Sequence, residues 1–197
     1  IYPNDGEDAD TLIKHADIAL YKAKMGGRHA FCIFDKTLRQ YHERRYHLIA
    51  ALRNAIDNDQ LSLVYQPIYC MQSKRFIGVE ALCRWKSTKY GDIPPSEFIQ
   101  LAEEIGEIHK IGLWIISTVS QALKQLKAHN IEMQLFTMNV SPLQLIPESF
   151  VSSLAQTLAL HQIPTSHLCI EVTEEALPGD EELIESRIRS LDELGIK

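Results

Sequence analysis

Oxygen-bearing side chains stand near the ends of three predicted strands. They are Glu80 in a strand predicted over 76–85, Asn139 in one over 134–141 and Glu171 in one over 168–173. In parallel α/β barrels the active site lies at the C-terminal ends of the strands, so these residues have the placement of a site. Hard oxygen ligands of this kind suit Mg²⁺ or Mn²⁺, which typically serve phosphoryl chemistry. The sequence therefore predicts a divalent-metal site with Glu80, Asn139 and Glu171 as ligands.

Three further polar residues lie close to this set. Strand side chains alternate with period 2, so Arg84 shares the face of Glu80 and could bind a phosphate through its planar guanidinium. Gln66 precedes Pro67 and is either a substrate contact or a strand-end acceptor without a special role. Glu174 follows the Glu171 strand and is interpreted as support for the site. A single late-strand Glu or Asn is more often a partner for a loop, and the coincidence of three favours a site.

The elements that position these residues follow an α/β pattern. Strands over 61–69 and 76–85 are joined by only Cys70 to Arg75, which is too short for a parallel crossover, so this pair should be antiparallel. Two helices follow, one capped by Ser96 and running to about 108, and one over 110–129 with Trp114 in the core. Strands and helices then alternate.

The last helix and the residues after it complete this pattern. Helices are predicted over 149–160 and 180–194, the latter capped by Asp180. Gly195 should end it, and Ile196-Lys197 should open a further strand.

The first 58 residues have a different organisation. A helix over 8–25, with Asp8 as its cap and Gly26-Gly27 as its stop, precedes a predicted strand over 30–34. This is too little to bury a core, so we interpret it as the tail of an upstream domain. A helix over 37–58 then connects it to the strands, and its arginines are interpreted as a solvated surface rather than a phosphate-binding face.

Composition excludes several classes of protein. The chain has 197 residues with 45% hydrophobic and 23% charged content, as in a globular protein, and its net charge of −6 argues against a non-specific nucleic-acid binder. No apolar stretch approaches the roughly 20 residues of a membrane-spanning helix. Four scattered cysteines without a C-x-x-C pair fit a reducing cytoplasm.

Five motifs in this order resemble the EAL family of cyclic di-GMP phosphodiesterases. They are Tyr65-Gln66-Pro67-Ile68, Glu80-Ala81-Leu82-Cys83-Arg84-Trp85, Pro95-x-x-Phe98-Ile99, Asn139-Val140-Ser141 and Glu171-Val172-Thr173-Glu174. Upstream, Ala16-Asp17-Ile18-Ala19-Leu20-Tyr21-x-Ala23-Lys24 with Gly27-Arg28-His29 resembles the end of a GGDEF diguanylate cyclase domain.

The resemblance implies a fold and a division of the chain. The fold is a partial (β/α) barrel of the TIM type with an antiparallel first strand, preceded by a helix–strand remnant of an α/β GGDEF domain and a connecting helix. Residues 1–36 would be the GGDEF remnant, 37–58 the connecting helix and 59–197 the N-terminal half of the EAL domain.

The resemblance also implies a reaction and roles. A longer parent would hydrolyse cyclic di-GMP to linear pGpG with Mg²⁺ or Mn²⁺, in bacterial second-messenger signalling. Residues matching Glu80, Asn139 and Glu171 bind the metals, those matching Gln66 and Arg84 contact the dinucleotide, and the one matching Glu174 steadies an active-site loop. Expected partners are cyclic di-GMP and, for the parent, a second copy of the chain.

Part of the family pattern is not found in these 197 residues. The Asp-Asp-Phe-Gly segment and the catalytic lysine match no residue here, so we expect a partial site that is inactive by itself, in a parent that other regions could anchor to a membrane. The alternatives are a catalytically inactive cyclic di-GMP receptor or scaffold, and another metal-dependent barrel hydrolase.

Overall fold

The chain divides into two compact units, Ile1–Ala51 and Leu52–Lys197. The structure, a computed structural model, describes residues 1–25, 30–131, 133–172 and 180–197. None of the helices in these ranges is both long and apolar enough to cross a bilayer.

The first unit contains α1 (Ala9–Met25) and all but the last residue of α2 (Lys36–Leu52). Asp8 caps α1 as predicted, since its carboxylate accepts hydrogen bonds from the backbone N–H of Thr11 (2.7 Å) and from the Thr11 hydroxyl (2.8 Å). The predicted Gly26-Gly27 stop lies outside the described residues. Helix α2 ends at Leu52 rather than Asn58, because residues 53–59 form turns.

The strand predicted over 30–34 is wrong, since residues 30–35 form neither helix nor strand. The alternating apolar residues that suggested a strand instead place side chains against the core of this unit. Cys32 and Phe34 pack against a small cluster of Ile18, Ala19 and Leu38. A strand needs a neighbour to hydrogen-bond with, and no strand is described in this unit.

The second unit is built on a mixed five-stranded sheet. Its elements are β1 (Leu61–Cys70), β2 (Arg75–Ser87), β3 (Gly91–Ile93), α3 (Pro95–Glu104), α4 (Ile108–Ala128), β4 (Leu135–Val140), α5 (Pro142–Leu145), α6 (Ser149–Leu160), a 3₁₀ turn (Thr165–His167), β5 (Leu168–Val172) and α7 (Glu181–Glu193). The sheet has the order β1-β2-β4-β5, with β3 also paired to β2. The predicted antiparallel hairpin of β1 and β2 is confirmed, and β4 pairs in parallel with β2 on one side and with β5 on the other.

One face of this sheet forms the core with the helices. Trp85 is only 1% exposed; its indole N–H donates to Gln60 Oε1 (3.2 Å) and its ring meets Phe98 edge-on at 6.0 Å. This satisfies the polar end of the largest core side chain. Trp114, expected in the core, is only half-buried. The other fully buried large side chains include Phe136, Met138, Leu154, Leu158 and Leu168.

One predicted helix cap is wrong, and a second is confirmed in its position. Helix α3 begins at Pro95 with Pro94 as its N-cap and no side-chain cap bond, so Ser96 lies inside the helix. Proline suits this first position because it has no N–H to leave unpaired. Asp180 is the N-cap residue of α7, but its side chain makes no cap bond.

Three helices of the second unit end in the same way. After α4, α6 and α7, a residue with positive φ (Asn130 at 60°, Gln162 at 59°, Gly195 at 79°) is followed by an isoleucine. The isoleucine N–H donates to the carbonyl five residues back, on Leu126, Leu158 and Leu191 respectively. This is the Schellman motif, and it turns the chain from a helix toward a strand.

The chain beyond α7 joins the sheet. Lys197 N–H donates to Leu168 O (3.1 Å), and Ile170 N–H donates to Lys197 O (2.7 Å). These two bonds are the pattern of a parallel pairing beside β5. Ile196, which precedes this pairing, is 2% exposed.

Candidate active site

The predicted ligands lie on the sheet face opposite the helix-packed core. Glu80 on β2 pairs in register with Thr137 on β4, and Asn139 on β4 pairs with Glu171 on β5. Because side chains alternate along each strand, Glu80, Thr137, Asn139 and Glu171 all belong to one face. The three predicted ligands are therefore brought together from three neighbouring strands.

A hydrogen bond joins two of these side chains directly. The Asn139 amide Nδ2 donates to Glu80 Oε1 at 2.9 Å. With its N–H group directed to Glu80, the amide of Asn139 retains its carbonyl oxygen as an acceptor or ligand. Asn139 and Glu171 are exposed and Glu80 is half-buried, so the group is accessible to a ligand.

Close packing of β2 against β4 makes this geometry available. A Cβ on Gly78 would collide with the backbone oxygen and Cβ of Leu135. Only glycine therefore allows this approach of the two strands, two residues before Glu80. The absence of a side chain at Gly78 positions Glu80 beside the β4 residues.

The segment after Asn139 fixes the end of β4. Ser141 is the N-cap of α5, where its hydroxyl accepts from Leu143 N–H (3.3 Å) and its own N–H donates to Gln144 Oε1 (3.0 Å). This capping box ends the strand immediately after Val140. Asn139 is thereby held near the end of β4, two residues before the N-cap of α5.

Gln66 and Arg84 take different positions around the carboxylates. Gln66 on β1 lies directly opposite Glu80 in the antiparallel pair and is exposed. Arg84 lies four residues further along β2 than Glu80, about 13 Å away along the strand. Its Nη1 donates to the carbonyl of Cys83 at 2.8 Å, which restrains the guanidinium near the sheet edge. Glu174 lies outside the described residues.

Thr137 is a site residue that the sequence reasoning missed. It is 3% exposed, and its hydroxyl has no hydrogen-bond partner among the described residues. A buried unpaired hydroxyl next to Glu80 is a polar group that a bound ligand or water can satisfy. The signal available in the sequence was its place two residues before Asn139, on the same strand face.

The donor set fits a hard divalent cation. Two carboxylates and a carboxamide supply oxygen ligands only, as Mg²⁺ and Mn²⁺ prefer. Within the described ranges no three His, Cys, Asp or Glu side chains form a metal-binding group, so Asn139 is needed to complete a set of three. A Mg²⁺ site usually keeps water and substrate oxygens in its remaining positions. Glu80, Asn139 and Glu171 could thus hold such an ion.

The environment of Glu171 also affects its neighbour on the strand. Burial, and after it the negative charge of Glu171, raise the pKa of the Cys169 thiol. This thiol therefore stays protonated at neutral pH and is a weak metal ligand. The chemistry at this strand end remains that of oxygen donors.

Comparison with known proteins assigns the family. The profile of the EAL domain matches residues 49–197. The chain belongs to the EAL domain family. This agrees with the mixed sheet and its antiparallel first strand pair. The relatives of the chain include proteins named as cyclic di-GMP phosphodiesterases.

Two curated EAL relatives match nearly the whole chain. It is 32% identical over 197 residues to the bifunctional diguanylate cyclase/cyclic di-GMP phosphodiesterase MucR of Pseudomonas aeruginosa, and 35% identical over 193 residues to the cyclic di-GMP phosphodiesterase PdeR of Escherichia coli. These alignments cover 100% and 98% of this chain but only 29% of either relative. The chain thus spans less than a third of the length of these two proteins.

Solved EAL structures share the fold. The PaMucR phosphodiesterase in complex with c-di-GMP superposes with a TM-score of 0.68 and 33% identity, covering 76% of this chain and 61% of that one. The EAL enzyme Bd1971 with cAMP and cyclic di-GMP gives a TM-score of 0.70 over 97% of this chain and 50% of that one, at 23% identity. The second likeness supports the fold alone.

Proposed function

We propose that this chain is part of a longer phosphodiesterase that hydrolyses cyclic di-GMP to linear pGpG in bacterial second-messenger signalling. The observation that carries the proposal is the grouping of Glu80, Asn139 and Glu171 on one face of three neighbouring strands, with Asn139 hydrogen-bonded to Glu80 at 2.9 Å. The activities of the relatives MucR and PdeR support the same substrate. Residues 59–197 would be the N-terminal half of the EAL domain, residues 1–36 the end of a GGDEF domain and residues 37–58 the connection.

Glu80, Asn139 and Glu171 would hold Mg²⁺ or Mn²⁺. When bound, such an ion would polarise the phosphodiester and lower the pKa of a coordinated water. The Asn139–Glu80 hydrogen bond fixes the direction of both side chains before an ion binds, so that less side-chain entropy is lost on binding. Glu174 would support the loop beside this group.

Arg84 and Gln66 would position the dinucleotide. The guanidinium of Arg84 can bind a phosphate through paired N–H groups, and Gln66 lies across from Glu80, where its amide can reach a substrate that contacts the carboxylates. The chain carries a net charge of −6, so an anionic dinucleotide must be held by such local positive groups against the overall field. The protein would act in the cytoplasm.

Hydrolysis by the longer protein tests the proposal. We expect Glu80→Gln, which keeps the shape and removes the charge, to lower kcat by about 100-fold or more while leaving part of the cyclic di-GMP binding. Chromatography of the pGpG product measures turnover, and calorimetry measures binding. Glu193→Gln, an exposed position on α7, is the matched control and should keep full activity. Unchanged turnover in Glu80→Gln would remove Glu80 from the mechanism.

A second measurement addresses the metal without activity. Mn²⁺ added to the isotope-labelled chain should broaden the amide NMR signals around Glu80, Asn139 and Glu171, and Asn139→Leu should weaken this effect about tenfold because an oxygen ligand is lost. Broadening that is equal in both proteins would contradict the ligand assignment. We expect the 197-residue chain alone to hydrolyse cyclic di-GMP far more slowly than the longer protein. Binding without hydrolysis by the longer protein would favour a receptor.

A further inference from the structure

A cavity lies at the end of the same strands that is opposite to the candidate active site. Its volume is about 340 Å³, and it is bounded by the end of α4, the approach to β4 and the connection from α6 to β5. Gln134, at its edge, precedes Asn139 by five residues, so the cavity lies about 16 Å along the strand from the candidate active site. The volume is within the range of small-molecule sites.

The lining combines an apolar floor with basic side chains. Leu123 and Ile163 belong to the apolar part, together with Ile131, Met133 and Pro164. Lys124, Lys127, His161 and His167 provide the basic groups, and none of the described lining residues is acidic. Lys124 and Lys127 thus place positive charge in the described part of this lining, in a chain with a net charge of −6.

The two lysines lie on the same side of α4. They are three residues apart and therefore neighbours on the helix surface, where like charges repel. Across the ranges that the structure describes, neither lysine forms a salt bridge. An anion between them would relieve this repulsion.

The basic side chains of the cavity lie near the ends of α4 and α6, which offers a simpler explanation for their presence. Such side chains often offset the negative end of a helix dipole. Here the last carbonyls are already occupied. Leu126 and Lys127 carbonyls accept from the N–H groups of Ile131 and Asn130, and Leu158 and Ala159 carbonyls accept from those of Ile163 and Gln162. The lysine ammonium groups are thus not required to satisfy these carbonyls and are available to a ligand.

One imidazole of the cavity is held in place. His161 Nε2 lies 3.2 Å from the Ser117 hydroxyl, which links the end of α6 to the middle of α4. This contact fixes one wall without using a charged group. The part of the lining formed by His161 is therefore preformed.

We propose that this cavity binds a small amphipathic carboxylate, with the apolar body against Leu123 and Ile163 and the carboxylate between Lys124 and Lys127. This site is separate from the proposed phosphodiesterase site and does not depend on it. The apolar floor distinguishes such a ligand from inorganic phosphate, and the lysines distinguish it from a neutral molecule of the same shape.

Octanoate is the test ligand, titrated into the isotope-labelled 197-residue chain and followed by NMR. We expect saturable shifts of the amides around Leu123–Lys127 and Ile163–His167, without shifts at Glu80 or Asn139. The double variant Lys124→Gln/Lys127→Gln should weaken octanoate binding about 5- to 30-fold, as expected for the loss of two charge contacts from exposed lysines. The control Lys89→Gln/Lys110→Gln changes the net charge equally outside the cavity and should bind like the wild type.

Further ligands make the result specific. Octanol and inorganic phosphate should each bind much more weakly than octanoate, because each supplies only half of the chemistry. In Lys124→Glu/Lys127→Glu, octylamine should bind better than octanoate, whereas the wild type should show the reverse preference. Octanoate affinity that is the same in the wild type and the cavity double variant would overturn the proposal, as would shifts that map elsewhere.

Discussion

The cysteines show how surroundings set the chemistry of identical side chains. Burial raises the pKa of the Cys83 thiol to about 12. Hydrogen bonds instead lower the pKa of the Cys70 thiol. The larger effect comes from the Ser73 hydroxyl and the next from the Ser73 backbone N–H, whose nitrogen lies 3.5 Å from the sulfur. Since the thiolate is the reactive form, the two sulfurs should differ strongly in reactivity near neutral pH.

Iodoacetamide labelling followed by mass spectrometry measures this difference. At pH 7.5 we expect Cys70 to react well before Cys169, and Cys83 to react last. The rate at Cys70 should rise with pH and level off earlier than for an ordinary thiol, because its lowered pKa is passed sooner. In strong denaturant all should react alike. Equally fast labelling of Cys83 and Cys70 in the folded protein would contradict the burial argument.

The candidate site could be predicted in part from single residues. Strand periodicity was sufficient to place Glu80 and Arg84 on one face, and to place Asn139 on the face of Thr137. The 2.9 Å bond from Asn139 to Glu80 could not be predicted, since it depends on the register between two strands 59 residues apart. The orphan hydroxyl of Thr137 likewise depends on burial, which periodicity does not give. The metal-binding roles stay a prediction.

At the level of elements, the Schellman ends of α4, α6 and α7 allow a comparison within one molecule. Glycine occupies the left-handed position after α7, whereas Asn130 and Gln162 occupy it after α4 and α6. A non-glycine residue there costs conformational energy, and Gln lacks the local hydrogen bonds that help Asn.

We therefore expect Gln162→Gly to raise the free energy of unfolding by about 0.5 kcal/mol, and Gly195→Ala to lower it by about 1 kcal/mol. Among the described residues, an added Cβ at Gly195 would meet the Thr165 hydroxyl oxygen at an ordinary contact distance of 3.6 Å, so that cost is conformational rather than steric. Urea titrations of both variants measure the two changes. A loss of stability in Gln162→Gly would show that its side chain contributes more than its backbone strain costs.

Local signals decided which elements could be predicted. The short Cys70–Arg75 connection predicted the antiparallel hairpin correctly, because a parallel crossover does not fit into it. The apolar alternation over 30–34 failed, since the same pattern also serves a segment that packs side chains without a strand neighbour. Ser96 is not the cap of α3, and Asp180 holds the N-cap position of α7 without a side-chain bond. Cap bonds depend on side-chain orientation, which the residue type alone does not determine.

At the scale of the whole molecule, the two units differ in the core that each can bury. Within the described part of residues 1–51, a small buried cluster contains Ile18, Ala19 and Leu38, with Cys32 and Phe34 beside it, and Leu48 is buried as well. The larger unit buries Trp85, Phe98, Phe136 and many aliphatic side chains. Because stability grows with the apolar area buried, the first unit should open more readily.

Hydrogen exchange read by mass spectrometry tests this difference. We expect amides of α1 to exchange at least 10-fold faster than those of β2 and α4, which lie in the larger core. Peptides from α6 and α7, two helices of the larger unit, provide an internal reference for well-formed helices. Equal protection of α1 and α4 would show that the first unit is stabilised by more than its own cluster.

Both tryptophans of the chain, Trp85 and Trp114, belong to the larger unit. Excitation at the red edge of the absorption band selects tryptophan, so the fluorescence reports on residues 52–197 and does not report on the first unit. The edge-on contact of Trp85 with Phe98 and its shielding from water give that signal a blue-shifted emission that should disappear when this core opens. A melting curve recorded by this emission would overlook an earlier loss of α1, which far-ultraviolet circular dichroism would register.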